Sequence, residues 1–144
     1  MEIRKYDSLP EDARKIRMEV FVEEQGFEEE FDSTDKIAKH FVLYVEGRAV
    51  ATCRIFSEGV GRFHLGRVAV LKSERGKGFG KALMLEAEKY ATNDEAAECF
   101  VLSAQLDKKG FYEALGYKTE GDVYLEEDYP HVFMRKVVKP SKDK

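Results

Sequence analysis

Arg75-Gly76-Lys77-Gly78-Phe79-Gly80 is the stretch on which the reading of this chain turns. Val68-Ala69-Val70 stand just before it. Phe79, Leu83, Ala87 and Tyr90 recur at helical spacing after it. The pattern predicts a strand, a glycine turn and an amphipathic helix ending near Asn93. A helix start offers amide N–H groups that no earlier turn satisfies, and its dipole favours negative charge. Glycines let the backbone approach a ligand without a Cβ in the way.

Spacing narrows the anion. A nucleotide P-loop needs four residues between its first Gly and a Gly-Lys pair, then Ser or Thr. Here Arg75 stands where that first Gly belongs, and Ala82 follows Gly80-Lys81. A dinucleotide fingerprint needs G-x-G-x-x-G opening a βαβ unit, whereas this chain has G-x-G-x-G after a predicted meander. Three glycines alternating with Lys and Phe, between Arg75 and Lys81, exceed what a plain turn requires.

Upstream, Ile3 to Tyr6 reads as a short edge strand. Ser8-Leu9-Pro10-Glu11 has the form of a capping box with Ser8 as N-cap. The helix after it places Ala13, Ile16, Val20 and Phe21 on one face. It is expected to run to about Glu24, where Gly26 stops it. Residues 27 to 39 form an acidic loop or short helix containing Glu28, Glu29, Glu30, Asp32 and Asp35. His40–Val45 and Ala49–Phe56 form a hairpin across Glu46-Gly47-Arg48, and Phe63–Leu71 adds a third strand. Downstream, Cys99–Ala104 is a continuous apolar run, as in a strand covered on both faces. Lys108–Leu115 is a short helix with Gly116 at its left-handed cap. Tyr117–Leu125 and Val132–Val138 close the chain as a strand pair around Glu126-Glu127-Asp128-Tyr129-Pro130.

At 144 residues, 43% hydrophobic and 36% charged, the chain suits one compact domain, expected over residues 1–138 with a disordered tail at 139–144. A net charge of -4 gives nucleic-acid binding no electrostatic support. No apolar run reaches membrane-spanning length, and Met1-Glu2-Ile3-Arg4-Lys5 does not read as a signal peptide. The expected setting is therefore cytoplasmic, with no membrane partner. Cys53 and Cys99 sit in apolar runs without metal-ligand spacing, as buried reduced thiols do. No metal site is expected.

Arg75-x-x-Gly78-x-Gly80 resembles the Q/R-x-x-G-x-G/A motif of the GNAT N-acetyltransferase family. The resemblance extends to Arg67-Val68-Ala69-Val70 before the loop. It also takes in Phe111-Tyr112-Glu113-Ala114-Leu115-Gly116-Tyr117, similar to the family's F-Y-x-x-x-G-F/Y. Arg17-x-x-Val20-Phe21-Val22-x-Glu24-Gln25 and Asp32-x-x-Asp35-x-x-Ala38-x-His40 look like a subgroup of small bacterial members without an assigned substrate. It implies a mixed α/β fold: a central, mostly antiparallel, twisted sheet of six or seven strands with helices on both faces. It also implies acetyl-CoA as co-substrate, without a metal.

On that resemblance, the amides of Gly76, Lys77, Gly78, Phe79, Gly80 and Lys81, with Arg75 at the head of the loop, hold the pyrophosphate. Val68, Ala69 and Val70 hydrogen-bond the pantetheine arm, which lies where this strand splays from Cys99–Ala104. Tyr112 is the expected general acid for the departing thiolate, its phenol pKa being close to that of the thiol. The strand carboxylate used as base by relatives falls near Gly66 here, so His131 becomes the candidate base, ahead of His40 and His64. Arg17, Glu24, Gln25, His40 and Arg54 are candidate substrate contacts. Arg17 and Arg54 suit a substrate carboxylate, and Glu24 and the acidic loop suit an ammonium. The expected reaction is acetyl transfer from acetyl-CoA to a primary amine of a small molecule, by direct attack in a ternary complex. Acetylation of a protein lysine or N-terminus, and a non-catalytic acyl-CoA sensor on the same fold, are the alternatives. A homodimer is a further expectation from the family.

Overall fold

The computed structural model describes residues 1–27 and 31–138. Glu28, Glu29 and Glu30 of the acidic loop, and the expected tail from 139 to 144, lie outside the described residues. Seven strands make one sheet: β1 (Glu2–Tyr6), β2 (Lys39–Val45), β3 (Arg48–Ser57), β4 (Arg62–Val70), β5 (Cys99–Gln105), β6 (Lys118–Glu126) and β7 (Tyr129–Val137). Their order is β1-β2-β3-β4-β5-β7-β6. β1/β2, β2/β3, β5/β7 and β6/β7 pair antiparallel, and β4/β5 pairs parallel. The expected mixed α/β class and mostly antiparallel sheet are met. The chain divides into two compact units: residues 1–56 with 65–90, and residues 57–64 with those from Ala91 onward.

In the first unit, α1 (Glu11–Arg17) starts differently from the sequence expectation. Pro10 is the N-cap, extended at φ -81 and ψ 157, and no side chain caps the helix. Its carbonyl takes the first helical bond from Arg14 N at 3.0 Å. Proline pushes the residue before it out of helical space, so Ser8 sits too early to cap. After Arg17 the coil widens into a π-helix over Met18–Glu24. Gln25 N bonds to Val20 O at 3.1 Å, a step of five residues. The predicted apolar face is buried. Ala13, Ile16, Val20 and Phe21 cluster with Val42, Tyr44 and Ala69, flanked by Tyr6, Leu9 and Leu71. Each of the larger side chains, such as Ile16, Val20 or Phe21, stabilises the fold by about 1.5–3 kcal/mol relative to exposure. The β2–β3 turn has left-handed backbone at both Glu46 (φ 51) and Gly47 (φ 79), the hairpin geometry that matches strand twist. The helix after the glycine loop, α2 (Phe79–Asp94), belongs to this unit up to Tyr90.

In the second unit, β5 buries Phe100, Val101, Leu102 and Ala104, as its unbroken apolar run predicts. β4 enters this unit at its first residues, with Arg62, Phe63 and His64 opposite Cys99, Phe100 and Val101. The expected helix at Lys108 opens as a 3-10 turn, Leu106–Lys108, before α3 (Lys109–Glu113). Its end is a Schellman cap: Tyr117 N bonds to Tyr112 O (3.1 Å), Gly116 N bonds to Glu113 O (3.0 Å), and Gly116 has φ 100. The β6–β7 connection is tighter than the five-residue turn expected. Glu126 and Tyr129 still pair, so only Glu127 (φ 50) and Asp128 (φ 63) turn. Both cysteines are free thiols; Cys53 is buried, and Cys99 is only half-buried.

Candidate functional site

The glycine loop folds as its sequence predicts. Gly76 (φ 80) and Gly78 (φ 83) are left-handed, and a Cβ added at either would meet nothing within 4 Å. The helical ladder begins with Ala82 N on Gly78 O at 3.0 Å. The amides of Phe79, Gly80 and Lys81 therefore precede it and face the open cradle end of α2. An anion there gains the helix field as well as the N–H groups, about 0.3–1 kcal/mol per contact when exposed. Val68 and Val70 are half-buried in β4, while Ala69 is buried. Arg67, just before them, has φ 51 inside the strand. A left-handed non-glycine residue there kinks the strand as a bulge does.

Two cations at the loop point elsewhere than to an anion in the cradle. Arg75 donates its Nε to Val70 O at 2.9 Å and both terminal nitrogens to the Glu24 carboxylate at 2.7 Å each. Lys77 Nζ lies 3.0 Å from Glu74 Oε1. The Glu24 bonds raise the Arg75 pKa further, and the Lys77 bond lowers that of Glu74. Glu24 is thus a partner of Arg75, and the π-helical segment is tied to the head of the glycine loop. Lys81 is exposed on α2.

Arg17, His40 and Arg54 converge on one residue, Asp35. Arg17 donates to both Asp35 oxygens at 2.9 and 3.0 Å, and Arg54 Nη1 to Oδ1 at 2.9 Å. His40 Nε2 donates to the Asp35 carbonyl at 2.9 Å. Arg54 also grips Asp32 at 2.7 and 3.2 Å, and Arg67 joins Asp32 at 3.2 Å. Asp32 and Asp35 form a capping box around the 3-10 turn Ser33–Lys36, which fixes both carboxylates. Arg17, Asp35, His40 and Arg54 are all buried. Burial pushes the Asp35 carboxyl up, but the bonds and charges of Arg17 and Arg54 outweigh it and hold it down at about 2. Burial pushes the His40 imidazole down. Gln25 closes the π-helical segment at its C-cap.

Tyr112 and His131 lie in the second unit. Tyr112, on α3, is half-buried, with Phe111 edge-on at 4.9 Å and Tyr117 at 6.1 Å. His131, on β7, is buried opposite Gln105 of β5 and Tyr124 of β6. Its Nδ1 is 2.7 Å from Tyr129 O. A carbonyl only accepts, so Nδ1 carries the proton and Nε2 keeps the lone pair. The sequence places Asp32 and Asp35 in the acidic loop and in the subgroup pattern, without indicating that they pair with Arg17 and Arg54. The D-x-x-D spacing was the one local signal for these two acids.

The family model described as an acetyltransferase (GNAT) domain matches residues 7–138. The uncharacterized N-acetyltransferase YjcF of Bacillus subtilis is 36% identical over 138 residues, covering 93% of this chain and 96% of that protein. Among solved structures, an acyl-CoA N-acyltransferase from Pseudomonas aeruginosa superposes with TM-score 0.83 at 28% identity, covering 94% of this chain and 99% of the other. Escherichia coli ElaA superposes with TM-score 0.84 at 26% identity, covering 94% and 98%.

Proposed function

The chain belongs to the GNAT acetyltransferase family and is an acyl-CoA-dependent N-acetyltransferase, and from that premise we propose that it moves the acetyl group of acetyl-CoA to a primary amine of a small molecule. The observation that carries the donor half is the open cradle at Gly76 and Gly78 at the start of α2. In this reading the amides from Gly76 to Lys81 take the pyrophosphate, and Val68 to Val70 offer main-chain bonds to the pantetheine arm. Arg75 acts from behind, bracing Val70 and Glu24. Arg17, His40 and Arg54 frame the 3-10 turn through Asp35, and Glu24 and Gln25 hold the end of the π-helical segment.

The acceptor arrives as an ammonium and must lose a proton before it can attack. His131 Nε2 takes that proton; the Tyr129 carbonyl fixes the tautomer that leaves Nε2 basic. The amine nitrogen then bonds to the thioester carbonyl carbon, the C–S bond breaks, and Tyr112 gives its proton to the thiolate sulfur. The tyrosinate recovers a proton from the acylated nitrogen, so the net products are the amide, the free thiol and one proton. A single domain over 1–138 and a homodimer belong to the same proposal, with Val123 and Leu125 exposed on the edge strand β6 where a second copy would meet them. Sedimentation velocity tests the dimer.

Calorimetric titration with acetyl-CoA, paired with a free-thiol assay over a panel of amines, tests the reading. Binding together with amine-dependent thiol release is expected. Absence of binding at millimolar acetyl-CoA overturns the donor assignment, and binding without release favours the sensor alternative.

A further inference from the structure

Val68 to Val70 of β4 is held at each end by an arginine. Ahead of it, Arg67 carries left-handed backbone at φ 51 within the strand and donates from Nη2 to Asp32 Oδ2 at 3.2 Å. Behind it, Arg75 donates from Nε to Val70 O at 2.9 Å and from both terminal nitrogens to Glu24 at 2.7 Å each. Leu71 N bonds to Val50 O at 3.0 Å and ties the end of β4 to β3. Ala69, in the middle, is buried in the cluster of Ile16, Val20 and Phe21.

The two anchoring acids differ. Glu24 meets Arg75 near the surface, with both side chains about a third exposed. Asp32 is fastened inward. The buried Arg54 grips it at 2.7 and 3.2 Å, and the same guanidinium holds Asp35 at 2.9 Å. Asp32 N donates to Asp35 Oδ2 at 3.3 Å, and Arg17 holds both Asp35 oxygens. The 3-10 turn Ser33–Lys36 is thus fixed from α1 by Arg17, from β2 by His40 and from β3 by Arg54, all three buried. Arg67 brings in β4, and it does so at the rim, with its side chain 30% exposed. A left-handed residue within a strand is strained, and it persists where its surroundings hold it. Here the strained residue reaches to a carboxylate that buried partners keep in place.

We propose that Arg67 and Asp32 are positioning residues for the acyl donor: the pair sets the kink of β4, and with it the direction of the Val68 and Val70 main-chain groups, and it links donor binding to the turn Ser33–Lys36. The inference rests on the reading of Val68 to Val70 as the strand that receives the pantetheine arm. Such a link runs both ways. A bound donor that holds the kink tightens the grip of Arg67 on Asp32, and loss of that grip leaves β4 less well formed for the donor.

Hydrogen exchange read by mass spectrometry, on the full chain with and without acetyl-CoA, tests the link. The reporting amides are Asp35 N on Asp32 O at 3.2 Å, and Ile37 N and Ala38 N on Thr34 O at 3.0 Å each. Saturating acetyl-CoA is expected to slow their exchange in the wild type about threefold, within the range of one part-exposed ion pair. Arg67→Met should abolish that slowing and raise the acetyl-CoA Kd about three- to fivefold by calorimetry, and Arg67→Lys should keep most of both effects. Arg67→Gly relaxes the backbone at φ 51 but removes the guanidinium, so it should behave like Arg67→Met, with circular dichroism showing each variant folded. A pair that serves stability alone would instead raise basal exchange and lower the melting temperature, with the donor-dependent difference intact. That result overturns the proposal, as does wild-type affinity in Arg67→Gly, or acetyl-CoA binding to the wild type without slowing in the turn. Absence of acetyl-CoA binding to the wild type overturns the donor reading, and this link with it.

Discussion

Asp35→Asn tests the most heavily loaded carboxylate in the first unit. Asp35 accepts three bonds from two guanidinium groups, Arg17 and Arg54, and these are only 1% and 5% exposed. The amide keeps the volume but loses the charge, leaving two buried cations with only part of their partner. Breaking a buried pair from one side costs about 3–5 kcal/mol. Linkage gives a second, independent figure. A carboxyl held at about 2 against an ordinary 3.8 stabilises the folded chain by about 2.5 kcal/mol. Because the folded pKa is depressed, that stabilisation is fully present above the unfolded value near 3.8 and is lost as the pH falls through about 2. Urea unfolding followed by circular dichroism, at steps from pH 6 down to pH 2, measures both. The wild type should lose about 2.5 kcal/mol of acid-sensitive stability attributable to this group, and the Asn variant should be less stable at pH 6 while showing a flatter acid slope. A double variant with Arg17→Met and Asp35→Leu should recover much of the loss, since apolar replacements often match a buried ion pair. An Asn variant within about 1 kcal/mol of wild type at pH 6, with the same acid slope, would refute the account.

Three further outcomes follow from the donor side. Gly78→Ala puts a Cβ into the cradle and strains the backbone at φ 83, so it should weaken acetyl-CoA binding about tenfold or more by calorimetry and cost the fold about 1 kcal/mol. Tyr112→Phe should lower kcat about 10²-fold and leave the acetyl-CoA Kd alone; an unaltered kcat removes Tyr112 from the chemistry. Glu24→Gln releases a part-exposed clamp on Arg75, so the acetyl-CoA Kd should rise by up to about fivefold, and a tighter Kd would mean that Glu24 competes with the pyrophosphate for Arg75.

What could be read in advance was whatever local spacing decides. The apolar composition of β2 and β3, the continuous run of β5, the glycine loop and the Gly116 cap each carry their cause within a few residues. Ala13, Ile16, Val20 and Phe21 were legible as a buried face even though the coil beneath them widens after Arg17. The widening itself was not legible, because bonds of five residues leave no distinct mark on so short an apolar pattern. Ser8 looked like a cap because its spacing to Glu11 is right; Pro10 takes the position because its own ring sets the entry backbone. The Asp35 network joins residues 18 and 19 positions apart, and Ser103 meets Tyr124 and Glu126 across more than 20. No periodicity encodes such meetings. They follow from sheet order, which places β7 between β5 and β6. Tyr112 and His131 are candidates by motif and by residue type, and the tautomer of His131 needed the Tyr129 carbonyl.

The two-residue turn at Glu127 and Asp128 sets a limit on how this protein can be improved. Both residues hold left-handed backbone, a conformation that Asn-Gly adopts with far less strain. Replacing the pair with Asn-Gly should therefore raise the melting temperature, by a stability gain on the order of 1 kcal/mol. The same exchange removes two exposed negative charges next to Glu126. A gain in heat tolerance at this turn is thus tied to a loss of local negative charge, and the two cannot be tuned separately through these residues.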